Sequence, residues 1–439
     1  MRHLYTLLYY LILPGILVRL WWRGRKEPAY RERWAERFGF IDAVPAGCLW
    51  VHAVSLGETR AAVPLIRALQ ERYPGRPVLV TTMTPTGSRQ VRDSFGNRVF
   101  HVYLPYDLPA AVQRFLQRTR PALGVIMETE LWPNLLQACQ DATIPIVIAN
   151  ARLSARSARG YRCLSGLSRA MLNNTSLVAA QTEADGARFI QLGLDPGKLK
   201  VTGNIKYDLI LPEGLAQYGQ ETRQALFGAR PVWIAASTHQ GEDEAILTAF
   251  TQLQQHFPEL LLILTPRHPQ RFDEVYALCQ QRKLSVVRRS SGAACTPAIQ
   301  VYLGDSIGEL LMLYALADVA FVGGSLVPSG GHNVLEPAQL GVPVVFGPHM
   351  FNFTEAARHL LAADGARQVK DSVELTEVLR LLLLDPNARQ NMGMRAKQAV
   401  HANRGALARL FALLEDILRQ DEPPRTLLRN TSATRQPPV

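Results

Sequence analysis

The sequence predicts an α/β protein with two Rossmann-like halves, and three observations carry that expectation. The chain has 439 residues, more than one ordinary hydrophobic core organises. Short apolar runs rich in Val and Ile alternate with helical patterns along most of its length. The composition, 47% hydrophobic and 19% charged, is globular rather than disordered, fibrous or fully membrane-embedded.

The first residues predict a membrane anchor over 1–26. Residues 4–18 carry no charge, and Arg19, Trp21, Trp22, Arg23, Arg25 and Lys26 follow at once. That run is shorter than the roughly 20 residues a spanning helix needs, and Pro14 and Gly15 weaken its centre. A cleaved signal would place its charges first and end in small residues; here only Arg2 precedes the run. A buried core helix is a further alternative. A true span stays open if Leu20, Trp21 and Trp22 extend the run, while an anchor lying in one leaflet fits the length better. The basic, tryptophan-bearing flank would stay on the cytoplasmic side. The expected location is therefore the cytoplasmic face of an inner membrane.

Residues 27–40 read as an amphipathic helix near that membrane. The first Rossmann-like domain is expected over 27–210. Its strand-like runs lie at 48–54, 77–82, 98–104, 122–128 and 144–150, with helical patterns such as 58–73 and 108–118 between them. Runs this short and this rich in β-branched residues suit parallel strands buried on both faces. A second half over 211–420 carries runs at 232–236, 260–264, 285–287, 299–303, 319–322 and 343–346. Residues 204–228, with Pro, Gly and polar side chains, read as a hinge. Long helical patterns fill 373–418, one of which could cross back to the first domain. The tail over 421–439 holds Pro, Ser and Thr with little to bury and is expected to be disordered.

The formal net charge of +11 attracts anions, whether nucleic acid, lipid head groups or phosphorylated substrates. Five scattered cysteines, Cys48, Cys139, Cys163, Cys279 and Cys295, form no CxxC pair and read as reduced thiols. No G-x-G-x-x-G follows the first strand and no P-loop is present, which argues against a dinucleotide oxidoreductase or a P-loop NTPase. His52, His239, His268 and His332 lack metal-ligand spacing, so no metal site and no cofactor are expected.

The candidate chemistry sits in loops at predicted strand ends, where open α/β sheets bind ligands. In His52-Ala53-Val54-Ser55-Leu56-Gly57-Glu58, Glu58 begins a helix. It is read either as a helix-dipole partner or as a general base. A second acidic loop, Met127-Glu128-Thr129-Glu130, ends another strand, and two acids clustered there need pairing or a function. Lys206 lies at the hinge in Gly203-Asn204-Ile205-Lys206-Tyr207-Asp208. In the second half, Pro266 and Arg267 follow a strand, and Arg267 could clamp a phosphate. Ile307, Gly308 and Glu309 open a helix whose N–H groups suit an anion. Gly330 and Gly331 lead into Asn333, Val334, Leu335 and Glu336, where a glutamate one turn into a helix can accept from ribose hydroxyls.

Taken together, HAVSLGE, METELWPN, VTGNIKYD, AASTHQGE, PRHPQR, IGELLMLY and GGSLVPSGGHNVLEPA resemble the bacterial 3-deoxy-D-manno-octulosonic acid (Kdo) transferases. The resemblance runs from the anchor through Phe353. It implies a GT-B glycosyltransferase fold, two Rossmann-like domains with an interdomain cleft. It further implies an inverting enzyme moving Kdo from CMP-Kdo to lipid A precursor at the inner membrane, with no nucleic acid partner. By that resemblance Glu58 is the general base, and Glu128 and Lys206 support the transition state. Pro266, Arg267, Ile307, Gly308, Glu309, Asn333, Val334, Leu335 and Glu336 then hold CMP. Ile307 stands where many relatives carry methionine. The alternative is a GT-B transferase using a UDP-sugar and another lipid acceptor. A non-catalytic module binding anionic lipid or nucleic acid is disfavoured, because acids at several strand ends would repel a polyanion.

Overall fold

The computed structural model describes residues 1–25, 27–209 and 211–421. Lys26 of the basic flank, and all but the first residue of the expected tail, lie outside the described residues. The chain divides into two compact units. One comprises Met1–Ile205 and the segment from Gly405, the other Lys206–Arg404.

The first unit begins with α1 (Arg2–Arg23) and then alternates strand and helix. In order these are β1 (Leu49–His52), α2 (Leu56–Arg72), β2 (Val78–Thr82), α3 (Pro85–Phe95), β3 (Phe100–Tyr103), α4 (Pro109–Thr119), β4 (Leu123–Met127), α5 (Pro133–Asp141) and β5 (Ile146–Ala151). Then come α6 (Ala155–Arg162), α7 (Ser165–Asn173), β6 (Leu177–Ala180), α8 (Glu183–Gln191) and β7 (Leu199–Val201). The seven strands are parallel, in the order β3-β2-β1-β4-β5-β6-β7. Residues of β1, β2, β4 and β5 are buried throughout, as a sheet covered on both faces requires. Side chains alternate between two core layers: Trp50 joins one, Leu49 and Val51 the other.

The second unit holds α9 (Leu215–Phe227), β8 (Val232–Thr238), α10 (Asp243–Gln254), β9 (Leu261–Pro266), α11 (Phe272–Gln281), β10 (Val286–Arg288), β11 (Val301–Leu303) and α12 (Leu310–Ala315). It continues with β12 (Val319–Val322), α13 (Leu335–Leu340), β13 (Val344–Phe346), α14 (Thr354–Ala362), β14 (Ala366–Gln368), α15 (Ser372–Leu384) and α16 (Pro386–Ala402). Its sheet is again seven-stranded and parallel, in the order β10-β11-β9-β8-β12-β13-β14. The last helix, α17 (Ala406–Asp421), belongs to the first unit. Ala406, Leu410, Leu414 and Leu418 repeat at four-residue spacing and enter the layer that holds Val51 and Ala62.

Four local expectations change. The amphipathic helix expected over 27–40 is instead two short 3-10 turns, Pro28–Arg31 and Trp34–Phe38. Arg33 between them is left-handed, with φ 57°, and interrupts any continuous helix. The expected hinge over 204–228 contains α9, thirteen residues long. Its Gly219 packs against Ala315, where a Cβ would collide at 2.6 Å. The third change is three strands beyond those expected, β6, β7 and β14, each three or four residues long.

The fourth change concerns α1. It runs unbroken through Pro14 for 22 residues and is long and apolar enough to cross a membrane. One face nonetheless docks on the first unit. Tyr9, Leu13, Ile16 and Leu17 pack on Tyr106, Leu108 and Ala111, and the Asn134 side-chain amide donates to Thr6 Oγ1 at 3.0 Å. Leu4, Leu7, Leu8, Leu11, Ile12 and Val18 stay exposed.

Candidate active site

In the first unit the strand order reverses between β1 and β4, the topological switch point at which such sheets place their ligands. His52 lies opposite Ile126 in that pairing, so the loops after the two strands leave the sheet side by side. The first loop carries Ser55 and Glu58 into α2. Ser55 Oγ accepts from the Glu58 N–H at 3.4 Å and donates to Glu58 Oε1 at 2.8 Å. The Val54 N–H donates to Glu58 Oε2 at 2.8 Å. This is a capping box, the S-x-x-E arrangement that closes a helix start. It fixes the Glu58 carboxylate at the sheet edge.

The second loop opens at Glu128, whose N–H donates to Ala149 O at 2.8 Å and whose φ is 57°. A left-handed glutamate costs about 1 kcal/mol, which the surrounding ladder must offset. Two residues on, burial pushes the Glu130 carboxyl up to about 7, and the charges of Glu58 and then Glu128 add to the rise. The structure therefore brings all three carboxyls together. Glu130 is the second acid of the loop whose clustered charges were expected to need pairing or a function. Asn150, at the end of β5, is also left-handed and fully buried. Its Oδ1 accepts from the Ile205 N–H at 3.1 Å, fixing the chain just before Lys206, while its Nδ2 has no partner among the described residues. No sequence signal singled it out.

In the second unit the order reverses between β8 and β12. The anchor of this edge is Glu242, a fully buried carboxylate. It accepts from the N–H groups of His239 (2.9 Å), Gly324 (2.6 Å), Ser325 (2.9 Å) and Leu326 (2.9 Å). Glu242 thus sets the Gly-rich loop after β12 against the loop after β8. In the sequence it is indistinguishable from a helix-dipole glutamate. His239 Nε2 lies 2.8 Å from His332 Nε2 with the rings stacked, and His268 meets His239 edge-on. Burial first, then the charges of Arg267 and Arg271, hold the His239 imidazole below its ordinary range. Among the described residues no cluster of His, Cys, Asp or Glu suits a metal.

The predicted nucleotide residues divide by what their side chains can reach. The Arg267 N–H donates to Thr238 O at 3.0 Å, which places this loop beside the end of β8. The charges of Glu336 and Arg267 both reach the buried Tyr314 hydroxyl, the first raising it and the second lowering it. Asn333 caps α13: its Oδ1 accepts from the Leu335 N–H at 3.1 Å and its Nδ2 donates to Glu336 Oε1 at 3.0 Å. Val334 and Leu335 are core side chains, and Pro266 is buried as the last residue of β9, leaving backbone for any ligand. Ile307 is 82% exposed beside Gly308 at φ 91°. Glu309 pairs with Arg289 at 3.0 Å. Lys206 lies in the 3-10 turn Ile205–Tyr207 at the start of the second unit.

The family model of 3-deoxy-D-manno-octulosonic-acid transferase (kdotransferase) matches residues 32–209. The chain is 44% identical to the 3-deoxy-D-manno-octulosonic acid transferase of Haemophilus influenzae over 424 residues, 96% of this chain and 99% of that one. Its identity to the protein of the same name from Bordetella pertussis is 42% over 431 residues, 95% and 99% of the two chains. Among solved structures it is similar to MurG of Acinetobacter baumannii, with TM-score 0.53 and 17% identity over 85% of this chain and 100% of that one. That last likeness shows a GT-B type fold alone.

Proposed function

The chain belongs to the Kdo transferase family, and from that premise we propose how it moves Kdo from CMP-Kdo in lipopolysaccharide assembly. The observation that carries the reaction is identity above 40% with two Kdo transferases across nearly the whole chain. The acceptor is a hydroxyl of tetra-acylated lipid A precursor. Glu58 takes the hydroxyl proton, the freed oxygen attacks the anomeric carbon of Kdo, and the bond to the CMP phosphate breaks with its electron pair leaving on CMP. The geometry in support is a carboxylate fixed at the switch point of the first sheet. Glu128 and Lys206 support the transition state, and Arg267 meets the charge that develops on the departing phosphate.

On the nucleotide side, backbone groups of Pro266, Val334 and Leu335 would line the base and ribose, with Glu336 accepting from ribose hydroxyls. Ile307, Gly308 and Glu309 complete the CMP contacts. The protein acts at the cytoplasmic face of the inner membrane, held by the exposed apolar face of α1. Because its other face packs on the first unit, α1 lies in one leaflet, with Trp21 and Trp22 at the interface.

The test is Kdo transfer from CMP-Kdo generated in place to tetra-acylated lipid A precursor, comparing wild type with Glu58→Ala. Transfer by wild type, lost in the variant while CMP still binds, is the expected result. Inhibition by UDP rather than CMP would overturn the donor and favour the UDP-sugar alternative.

A further inference from the structure

The 41 residues from 142 to 182 contain five arginines and no aspartate or glutamate. Three of those arginines form a stripe. Arg152 precedes α6, Arg156 and Arg159 follow at helical spacing, and all three are exposed. The opposite face of α6 carries Ala158, in the core, and Tyr161, packed against it. Among the described residues none of the three guanidinium groups has a carboxylate within ion-pair distance. A solvated helix face ordinarily mixes both signs of charge, so this one-sign stripe offers a surface suited to an anion.

Its position says which anion. Helix α6 follows β5, the neighbour of β4, and leaves the same sheet edge as the acidic loop. Thr129 Oγ1 donates to Arg152 O, and the Glu130 charge reaches the Tyr161 hydroxyl on the inner face of α6. The acidic loop and the start of α6 are therefore neighbours along one sheet edge, with the three arginines on the outer side of that start. The carboxyls repel a phosphate, and the arginines hold one in bidentate fashion. A phosphorylated sugar presented to this edge is oriented by both, its hydroxyl towards the acids and its phosphate towards α6.

We propose that Arg152, Arg156 and Arg159 form the binding site for a phosphate group of the glycolipid acceptor, beside the Glu58–Glu128–Glu130 cluster. The proposal rests on the transferase reading and deepens it by naming what the acceptor must carry.

The experiment uses the full chain in neutral detergent micelles with CMP-Kdo generated in place. Tetra-acylated lipid A precursor is compared with the same lipid after removal of its phosphates. The triple variant Arg152→Gln, Arg156→Gln, Arg159→Gln should raise KM for the phosphorylated acceptor by about tenfold or more. KM for the dephosphorylated lipid and for CMP-Kdo should stay within about twofold, which also shows that the variant is folded. The corresponding triple lysine variant should recover part of the loss, since it restores charge without the planar fork. Equal rises for both lipids, or no rise for either, would overturn the site. So would lost sedimentation with anionic vesicles at unchanged acceptor KM, which assigns the stripe to membrane head groups. No transfer by wild type to either lipid would overturn the acceptor reading itself, and this site with it.

Discussion

Glu130 is held by opposing forces that make it sensitive to pH. Burial, then the charges of Glu58 and Glu128, raise its carboxyl to about 7, against an ordinary 4.5. Between those values the folded protein keeps a proton that the unfolded chain has released. Stability therefore falls as pH rises through that window, and the full penalty stands above about 7. Glu130→Gln should gain on the order of 2 kcal/mol over wild type at about pH 8, and nothing near pH 4. Urea unfolding at the two pH values checks it; equal gains at both would show that charge is not the cause. Glu242 acts through hydrogen bonds instead, a buried carboxyl that accepts from four backbone N–H groups. Glu242→Ala strands those buried N–H groups and should destabilise the second unit by about 3 kcal/mol or more. Glu242→Gln keeps one accepting oxygen and should lose less in the same urea measurement. The clustering of Glu130 with Glu128 was legible in the sequence, but the approach of Glu58 and the role of Glu242 were not. A glutamate near a helix start reads as a dipole partner, and only the folded loops reveal what else surrounds it.

Among elements, the expected strands were the readable part, because burial on both faces leaves continuous apolar runs such as those of β1, β4 and β8. Strand β7 was not, since its three residues carry an exposed Lys200 and no such run. The capping box of Glu58 has a plain S-x-x-E signature, whereas the two-residue break at Glu32 and Arg33 has none. Helix α1 shows what pattern reading confuses. Its sequence is apolar all round, yet Tyr9 and Leu13 dock on the first unit while Leu7 and Leu11 face outward. Substituting Leu7→Asp and Leu11→Asp should weaken sedimentation with phospholipid vesicles by at least about tenfold. The urea midpoint should barely move, because those side chains contribute little to the core. A collapse of stability with binding intact would mean that the outward face supports the fold rather than the membrane. Leu414→Ala in α17 should do the reverse. It removes a side chain that is 1% exposed, costs about 3 kcal/mol, and leaves vesicle binding unchanged.

For the whole molecule, the two sheets have separate cores: the layers built on Trp50 and Val51 share no residue with those built on Trp233 and Ile234. Two closed cores allow two unfolding transitions, and a ligand held by one unit stabilises that unit alone. Every nucleotide residue proposed here lies in Lys206–Arg404. At a hundredfold excess over its Kd, CMP should therefore raise the stability of that unit by about 2.7 kcal/mol and leave the other unmoved. The sequence supplies the means of telling them apart. Of six tryptophans, Trp21, Trp22, Trp34, Trp50 and Trp132 belong to the first unit, and Trp233, buried in β8, is alone in the second. In a Trp233→Phe variant, tryptophan fluorescence follows the first unit only, and its urea midpoint should not respond to CMP. Circular dichroism of the same sample reports both units, so one of its two transitions should shift. If CMP instead moved the fluorescence transition as far as the dichroism one, the units would unfold as a single cooperative body, and ligand on one sheet would stabilise both.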